Sequence, residues 1–591
     1  MLTGEGVDVI VHSTHEAGYK IGGIGAVLDG LLSSRAYLKN VRRTVLTGPF
    51  SADDTAGMER LRSPRNRMEI LYSSLDGTTS YQHSSALEQI ERRHGVRIIY
   101  GRRSFAGFVH DVLLVDPKEA EQHIVNDLKY RLWERFGLQS DLYEGSYEYD
   151  LYVRSALPQF EALQVILGGD ANRRRKVVMA HEFMGVPLCL VAELERPGSF
   201  CRVYYAHEVP TVRPVVEEDP GHDTMFYNVL RLARSQSLQF HHVFGSRAHF
   251  YKHALLEASA DFSAVFAVGD LVVEELRFLG PQFANKAIDL VYNGIPAPEV
   301  PLEAKLASLT RLRDYAERVT GRRPDYVFTH VARLVPSKGL WRDLRVLENL
   351  DPMLSERGLT ATFFVLATAP PTGRSSQDVL RMEQEYGWPV DHREGYPDLV
   401  GYEVPFYQAV RQFNHQAKAV QAIFVNQFGW DQERCGQRMP AEMTFADLRQ
   451  GSDLEFGQSI YEPFGIAQFE PLPYGALCVV SSACGCVGFA NRVATGAGRN
   501  IIVADYISLP PGLGVSSWQE ALQIGQDTRD LVERYRAREA AEAIATSLPR
   551  DDLDRERSMQ SGLALAKRMS WEVVVSEYML PALARALHSV Q

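Results

Sequence analysis

A series of short apolar runs, each closed by a polar or glycine-bearing turn, limits this chain's fold more than any other feature. Val7–Val11, Val177–Ala180, Tyr326–Val331, Thr362–Leu366 and Leu477–Val480 are nearly continuous in apolar character rather than alternating. Runs of that length and pattern suit strands covered on both faces, which is the state of a parallel sheet under helices. Helical stretches lie among them, including Ala26–Leu32, Leu151–Leu167, Ser375–Tyr386 and Val404–Lys418. Strand alternating with helix predicts doubly wound α/β architecture, in which ligands sit beyond the carboxyl ends of the strands. With 591 residues the chain exceeds one hydrophobic core. Apolar periodicity lapses from Ala297 to Leu306, around Pro296, Pro298 and Pro301. A hinge is expected there, between a Rossmann-like domain at 1–300 and a second at 301–568, with a terminal helical segment at 569–591.

Composition narrows the classes of function. Apolar residues make up 45% and charged residues 23%, which are ordinary globular values. A net charge of −11 disfavours nucleic acid or an anionic membrane as the main partner, so any phosphate site must be built locally. No apolar run has the length needed to cross a bilayer, and the first residues carry no basic, apolar signal pattern. The six cysteines are scattered, which fits a reducing compartment, and a cytoplasmic location is expected. Cys484-Gly-Cys486 lacks a second pair of ligands nearby, so no metal site is expected.

Chemistry concentrates at a few turns. In Tyr461-Glu-Pro-Phe-Gly465, Glu462 lies eight positions before Glu470. Were the intervening stretch one helix, the carboxylates would stand roughly 12 Å apart, about the reach of a nucleotide sugar, with the helix start free to hold phosphate. Lys20-Ile-Gly22-Gly23-Ile-Gly25 follows the first strand and precedes a helix, an arrangement able to cradle phosphate through backbone N–H groups. Arg333 and Lys338 follow the strand Tyr326–Val331, where two cations would offset the charge of a leaving diphosphate. His181 ends one strand, His207 ends another, and Asn293-Gly294 follows a third. Ser481–Gly485 is a further loop able to supply N–H groups. Two features read as solvated surface: the basic run Asn172–Lys176 before a strand, which could otherwise bind an anion such as a sugar phosphate, and Asp552-Leu-Asp554 in a charged helical stretch.

Glu462 and Glu470 in this setting resemble the E-x7-E signature of retaining nucleotide-sugar glycosyltransferases of the GT-B fold, and in particular of glycogen and starch synthases. Lys20-x-Gly22-Gly23, His181-Glu-Phe, Asn293-Gly294 and Arg333-x4-Lys338-Gly resemble further family segments in the family's order. Glu16-Ala-Gly-Tyr-Lys20 looks closer to the animal and fungal type. Phe183 stands where the family has tryptophan, and Pro471 and Pro473 follow Glu470 sooner than the motif usually allows.

The resemblance implies two Rossmann-like domains facing across a cleft, with the terminal helix packing back on the first. It implies transfer of glucose, with retention, from UDP-glucose or ADP-glucose to the non-reducing end of an α-1,4-glucan. Glu462 and His181 would act at the reacting sugar. Lys20, Gly22, Gly23, Asn293, Arg333, Lys338 and Glu470 would bind the donor, without metal or other cofactor. These groups lie on both sides of the hinge, so domain closure is expected to bring them together. Residues 51–150 read as the rest of the first sheet plus insertions. Residues 370–450 read as an insertion and a candidate for homo-oligomer contacts. Another retaining GT-B transferase with a different acceptor, or a silent glucan-binding protein, are the alternatives.

Overall fold

A computed structural model describes residues 6–370, 372–494 and 500–590. The chain divides into two compact units. The first comprises Met1–Val212, Leu238–Gly294 and Trp571–Gln591, and the second Arg213–Ser237 and Ile295–Ser570.

Among the described residues the first unit holds a sheet of ten strands. They are β1 (Val7–Ser13), β2 (Val41–Pro49), β3 (Met68–Ser73), β4 (Thr78–Thr79), β5 (Arg97–Phe105), β6 (Phe108–Asp116), β7 (Lys176–His181), β8 (Cys201–Ala206), β9 (Ala264–Ala267) and β10 (Ile288–Leu290). Their order is β10-β9-β8-β7-β1-β2-β6-β5-β3-β4. From β10 to β6 the neighbours are parallel, and an antiparallel extension from β5 to β4 follows. Residues 51–150 therefore contribute four strands to this sheet, one of them the parallel β6. The chain's final segment lies on this unit. Trp571 packs so closely on Gly30 and Gly294 that a Cβ at either glycine would run into its ring. The Glu572 carboxylate accepts the backbone N–H groups of Arg35 and Ala36, at 2.6 and 2.9 Å, and so caps the helix Arg35–Asn40.

Among its described residues the second unit holds six parallel strands: β11 (Tyr326–Val331), β12 (Ala361–Leu366), β13 (Val420–Val425), β14 (Leu454–Gly457), β15 (Leu477–Ser481) and β16 (Ile501–Ala504). They are ordered β13-β12-β11-β14-β15-β16. Side chains alternate across the sheet as the two-residue period requires. Phe363 and Val365 join one buried cluster with Leu347 and Ile544. Phe364 and Leu366 join the other, with Tyr315, Trp388 and Trp430. The helix Leu302–Thr320 leads in from the proline-rich stretch. It begins after Pro301 and stops at Gly321, whose φ of 74° only glycine adopts without strain.

Two expectations need correction. Residues 370–450 are more than an insertion, because β13 inside them is a full member of the sheet, in register with β12. Polar helical flanks hide that short strand from a periodicity reading. Arg213–Ser237, assigned by sequence to the first domain, clusters with the second unit. Its ties to that unit include the fully buried Arg342 guanidinium, 2.6 Å from Asp223 and 2.9 Å from Glu533, and hydrogen bonds from Thr224 and Asn228 to the Tyr506 and Ile507 carbonyls. No described helix is long and apolar enough to cross a membrane.

Candidate active site

In the second unit the chemistry gathers where β11 and β14 end. After β11 the chain passes Arg333 and makes one 3-10 turn, Pro336–Lys338. Gly339, at φ 61°, abuts the Gln458 carbonyl, and the Ile460 N–H donates to the Ser337 carbonyl at 2.8 Å. That stitching sets Lys338 beside Glu462, with Nζ to carboxylate 2.5 Å. Gln468 Nε2 donates to the same carboxylate at 3.2 Å. Burial raises the Glu462 pKa, but the Lys338 charge, its hydrogen bond and the charge of Arg213 outweigh it, and the group is held below its ordinary range. Arg213 also lies over the Tyr461 ring, 4.9 Å from its centroid. Arg333 is exposed and forms no ion pair among the described residues. One cation is thus committed to a carboxylate and the other is available to an anion.

Glu470 lies on a different network. Its carboxylate is 3.3 Å from the buried Arg449, which also pairs with Glu455. Between Glu462 and Glu470 the helix is only Ile466–Phe469, started by Gly465 at φ 89° and capped by Glu470, which Pro471 follows. The expected straight helix does not form, so neither the 12 Å spacing nor a helix-start phosphate site can be carried over. Gly465 breaks it, because a residue at that positive φ cannot continue a right-handed helix from Glu462.

The loop after β15 also differs from expectation. Gly485 N–H donates to the Glu462 carbonyl at 2.9 Å and Cys486 N–H to the Phe464 carbonyl at 2.7 Å. Those donors brace the Glu462 segment and are not free for a phosphate. All six cysteines are buried free thiols, and no three or more His, Cys, Asp or Glu side chains among the described residues are placed to hold a metal ion. Asp554, in the Asp-x-Asp segment and the first turn of the helix Asp552–Arg568, pairs with the exposed Arg550.

In the first unit, the carboxyl edge of β1, β7 and β8 carries a chain of imidazoles. His181 Nδ1 lies 2.9 Å from His207 Nε2, and His181 Nε2 lies 2.8 Å from His12 Nδ1. His12 Nε2 is 2.9 Å from the Tyr37 hydroxyl, itself 3.0 Å from Thr44 Oγ1. Burial, reinforced by neighbouring rings, pushes His12 and His181 well below their ordinary pKa, and burial takes His207 down to about 3. The rings are therefore neutral. Each donates once, so a single tautomer choice propagates from His207 to Thr44 in one direction or the other. His181 is fully buried with both ring nitrogens occupied, so it offers no free nitrogen to a sugar. The half-buried His207, whose Nδ1 has no partner among the described residues, ends the chain.

Glu182 follows His181 at φ 64°, a left-handed conformation rare outside glycine. Its carboxylate receives the N–H groups of His207 and Glu208 and the Tyr204 hydroxyl, which fixes the end of β8. Burial and the Glu208 charge push it up to about 8.

The Lys20 loop is built around another carboxylate. Glu16 accepts the N–H groups of Ile21 and Gly22, each at 2.6 Å, and Lys20 Nζ lies 3.1 Å from Asp29. Two donors that a phosphate cradle would use are already satisfied by the protein. Gly22 and Gly23 are exposed, and Gly23 opens the helix Gly23–Ser33. Asn293 is buried after β10, with Oδ1 unpartnered. Sequence reasoning missed Glu16, Arg213 and Arg449. The Glu16–Gly22 spacing was a readable signal, but the other two are brought in by long-range packing.

No family model matches this chain. No curated protein matches it either. Solved structures do. The catalytic domain of starch synthase IV from Arabidopsis thaliana, bound to ADP and acarbose, is 14% identical and aligns over 99% of this chain and 100% of its own, with a TM-score of 0.52. An E. coli trehalose-6-phosphate structure bound with UDP-2-fluoro glucose is 10% identical over 98% and 99%, at 0.47. An α,α-trehalose-phosphate synthase (UDP-forming) from Burkholderia xenovorans, in complex with glucose-6-phosphate, is 12% identical over 97% and 99%, at 0.47. The fold class is that of the GT-B glycosyltransferases, seen here as two parallel-rich α/β sheets with helices. Nothing in these likenesses favours the animal and fungal synthases.

Proposed function

We propose that this chain is a retaining glycosyltransferase that moves glucose from a nucleoside diphosphate glucose to the non-reducing end of an α-1,4-glucan. The observation that carries the reading is the pairing of Lys338 with Glu462 at the carboxyl edge of the second sheet, close in sequence to the unpaired Arg333. An ionised carboxylate so placed suits a sugar centre that gains positive charge, and the two cations suit the departing diphosphate. Lys338 would then be shared between Glu462 and the leaving group, so that charge neutralised in the empty site becomes available as the bond breaks. With Arg333 and Lys338 in that role the reaction needs no divalent metal, and turnover should persist in excess EDTA. The resemblance of the Lys20, His181 and Asn293 segments to the synthases supports the same reading, with His207 rather than His181 offering a free imidazole nitrogen.

The test is release of nucleoside diphosphate from ADP-glucose and from UDP-glucose, each with glycogen, maltooligosaccharides, glucose 6-phosphate or free sugars as acceptor. Elongation of the glucan with α-anomeric product, read by NMR, is the expected result. Turnover with a small sugar or sugar phosphate alone would move the assignment to another acceptor. Glucan binding without turnover on any donor would make the protein a scaffold.

A further inference from the structure

A concave site lies in the first unit, at the edge of the first sheet opposite its imidazole chain. It is an open groove of about 1250 Å³ between the amino ends of β1 and β7, the segment Leu38–Arg42 and the turn after the helix Val186–Glu195. Lys39, Arg42, Arg173, Arg174, Lys176 and Arg196 all line it, with Asp8 the acidic residue among its described walls. Arg42 and Arg173 are balanced by Asp170, at 2.7 and 3.5 Å, and Arg173 also faces Asp8 at 3.7 Å. Lys39, Arg174, Lys176 and Arg196 make no ion pair among the described residues.

Two details mark this as more than a solvated basic face. Lys176 is 3% exposed, yet among the described residues its ammonium group contacts only the Ala171 carbonyl and the Phe200 ring, 4.5 Å from the centroid. Burial and the nearby Arg196 charge both lower its pKa, so the site holds a cation at a cost that a bound anion would remove. The Ser199 hydroxyl, also in the wall, is buried and has no hydrogen-bond partner among the described residues. An unsatisfied buried hydroxyl beside an unpaired buried ammonium is a poor arrangement unless something else completes it.

We propose that this cavity binds a small polyanion carrying two or more phosphate charges. Several unpaired cations around one concave space exceed what a single carboxylate neutralises, and phosphate oxygens match both guanidinium and hydroxyl donors. The ligand is not the donor in its reacting position. Lys176 and His181 are the two ends of β7, so the cavity and the imidazole edge stand roughly 16 Å apart along one strand. A nucleic acid fits less well, because the chain as a whole carries a charge of −11.

Inorganic pyrophosphate is the probe, titrated calorimetrically into the full chain at low and at high sodium chloride. The wild type is compared with the doubly charge-reversed Arg174→Glu/Arg196→Glu protein, in which both substituted positions are exposed. Both proteins keep Arg333 and Lys338, so the difference between them isolates this cavity. A saturable site in the wild type, weakened about tenfold or more by the double change and weakened by salt, supports the proposal. Melting curves without ligand should be unchanged or raised in the variant, because like-charge repulsion is relieved. Equal pyrophosphate binding by both proteins would overturn it, as would the absence of a saturable site. Binding of a single-stranded oligonucleotide that pyrophosphate does not displace would overturn it too, and would assign the surface to nucleic acid.

Discussion

Glu462 is legible as a candidate from its neighbours alone, because a carboxylate between Tyr461, Pro463 and Phe464 is unlike a solvated charge. Its countercharge was readable only as a possibility of spacing, since Lys338 lies far away in sequence and is brought to 2.5 Å by the stitching of Ser337 to Ile460. Glu462→Gln should lower turnover by about two orders of magnitude or more with little change in donor affinity, measured by steady-state kinetics beside calorimetry. Near-normal turnover in that variant would remove Glu462 from the chemistry. Loss of Lys338 acts on both terms. Lys338→Met should weaken nucleoside diphosphate binding by about 1.5–3 kcal/mol, far more than it weakens nucleoside binding. It should also move the Glu462 pKa upward, because burial then acts without its main opposing charge. A pH–rate profile whose acidic limb shifts to higher pH is the readout. Glu470 stands apart: with Arg449 as its partner, its substitution bears on that ion pair before it bears on any ligand.

At the scale of elements, close backbone approaches decide whether these residues can be positioned at all. A Cβ at Gly485 would run into the Pro463 carbonyl, and one at Gly25 into the Glu16 carboxylate. Gly485→Ala should therefore destabilise the second unit by about 1–3 kcal/mol and disturb Glu462, while Gly25→Ala should disturb the Lys20 loop instead. Urea unfolding and limited proteolysis of each unit would separate the two. The imidazole chain and Glu182 set a pH dependence whose sign can be worked out. His12, His181 and His207 stay neutral in the fold but take up protons below about 6.5 when unfolded, so stability falls as pH drops below that value, by up to about 1.4 kcal/mol per pH unit for each ring. Glu182 acts oppositely. Raised from 4.5 to about 8, it withdraws stability as pH climbs between those values. Three rings outweigh one carboxyl below 6.5 and the carboxyl acts alone above it, so stability of the first unit should peak near pH 6.5. Hydrogen exchange of β7 peptides in urea, at about pH 5, 6.5 and 8, checks this. Glu182→Gln should abolish the decline on the alkaline side only.

For the whole molecule, the chain's route between units depends on one buried cluster. Arg342, Asp223 and Glu533 are each fully buried, and Arg342 joins Arg213–Ser237 to the body of the second unit. Removing the guanidinium leaves two carboxylates buried without their partner, so Arg342→Ala should cost about 3–5 kcal/mol. Proteolysis should then cut first within 213–237, whereas unchanged resistance of that segment would mean the apolar contacts of Met225, Phe226 and Val229 hold it alone.

Most strands of the two sheets were visible from the chain itself, because a strand buried on both faces must be apolar throughout whatever else surrounds it. The irregular stretch from Val291 to Pro301 was visible for a related reason: three prolines in quick succession cannot continue either kind of element. Strand β13 was not, since a short apolar run between polar helices has no signature until a neighbour pairs with it. Nor was the exchange of partners at the sites. Glu16 takes the backbone donors that glycines alone would leave to a phosphate, Gly465 turns left-handed inside the stretch that spacing read as one helix, and His181 spends both nitrogens on His12 and His207. Residue type and order determine which elements form and where polar groups cluster. Which donor meets which acceptor is decided by packing between distant segments, because each buried polar group takes the partner that the fold, not the sequence neighbour, brings within reach.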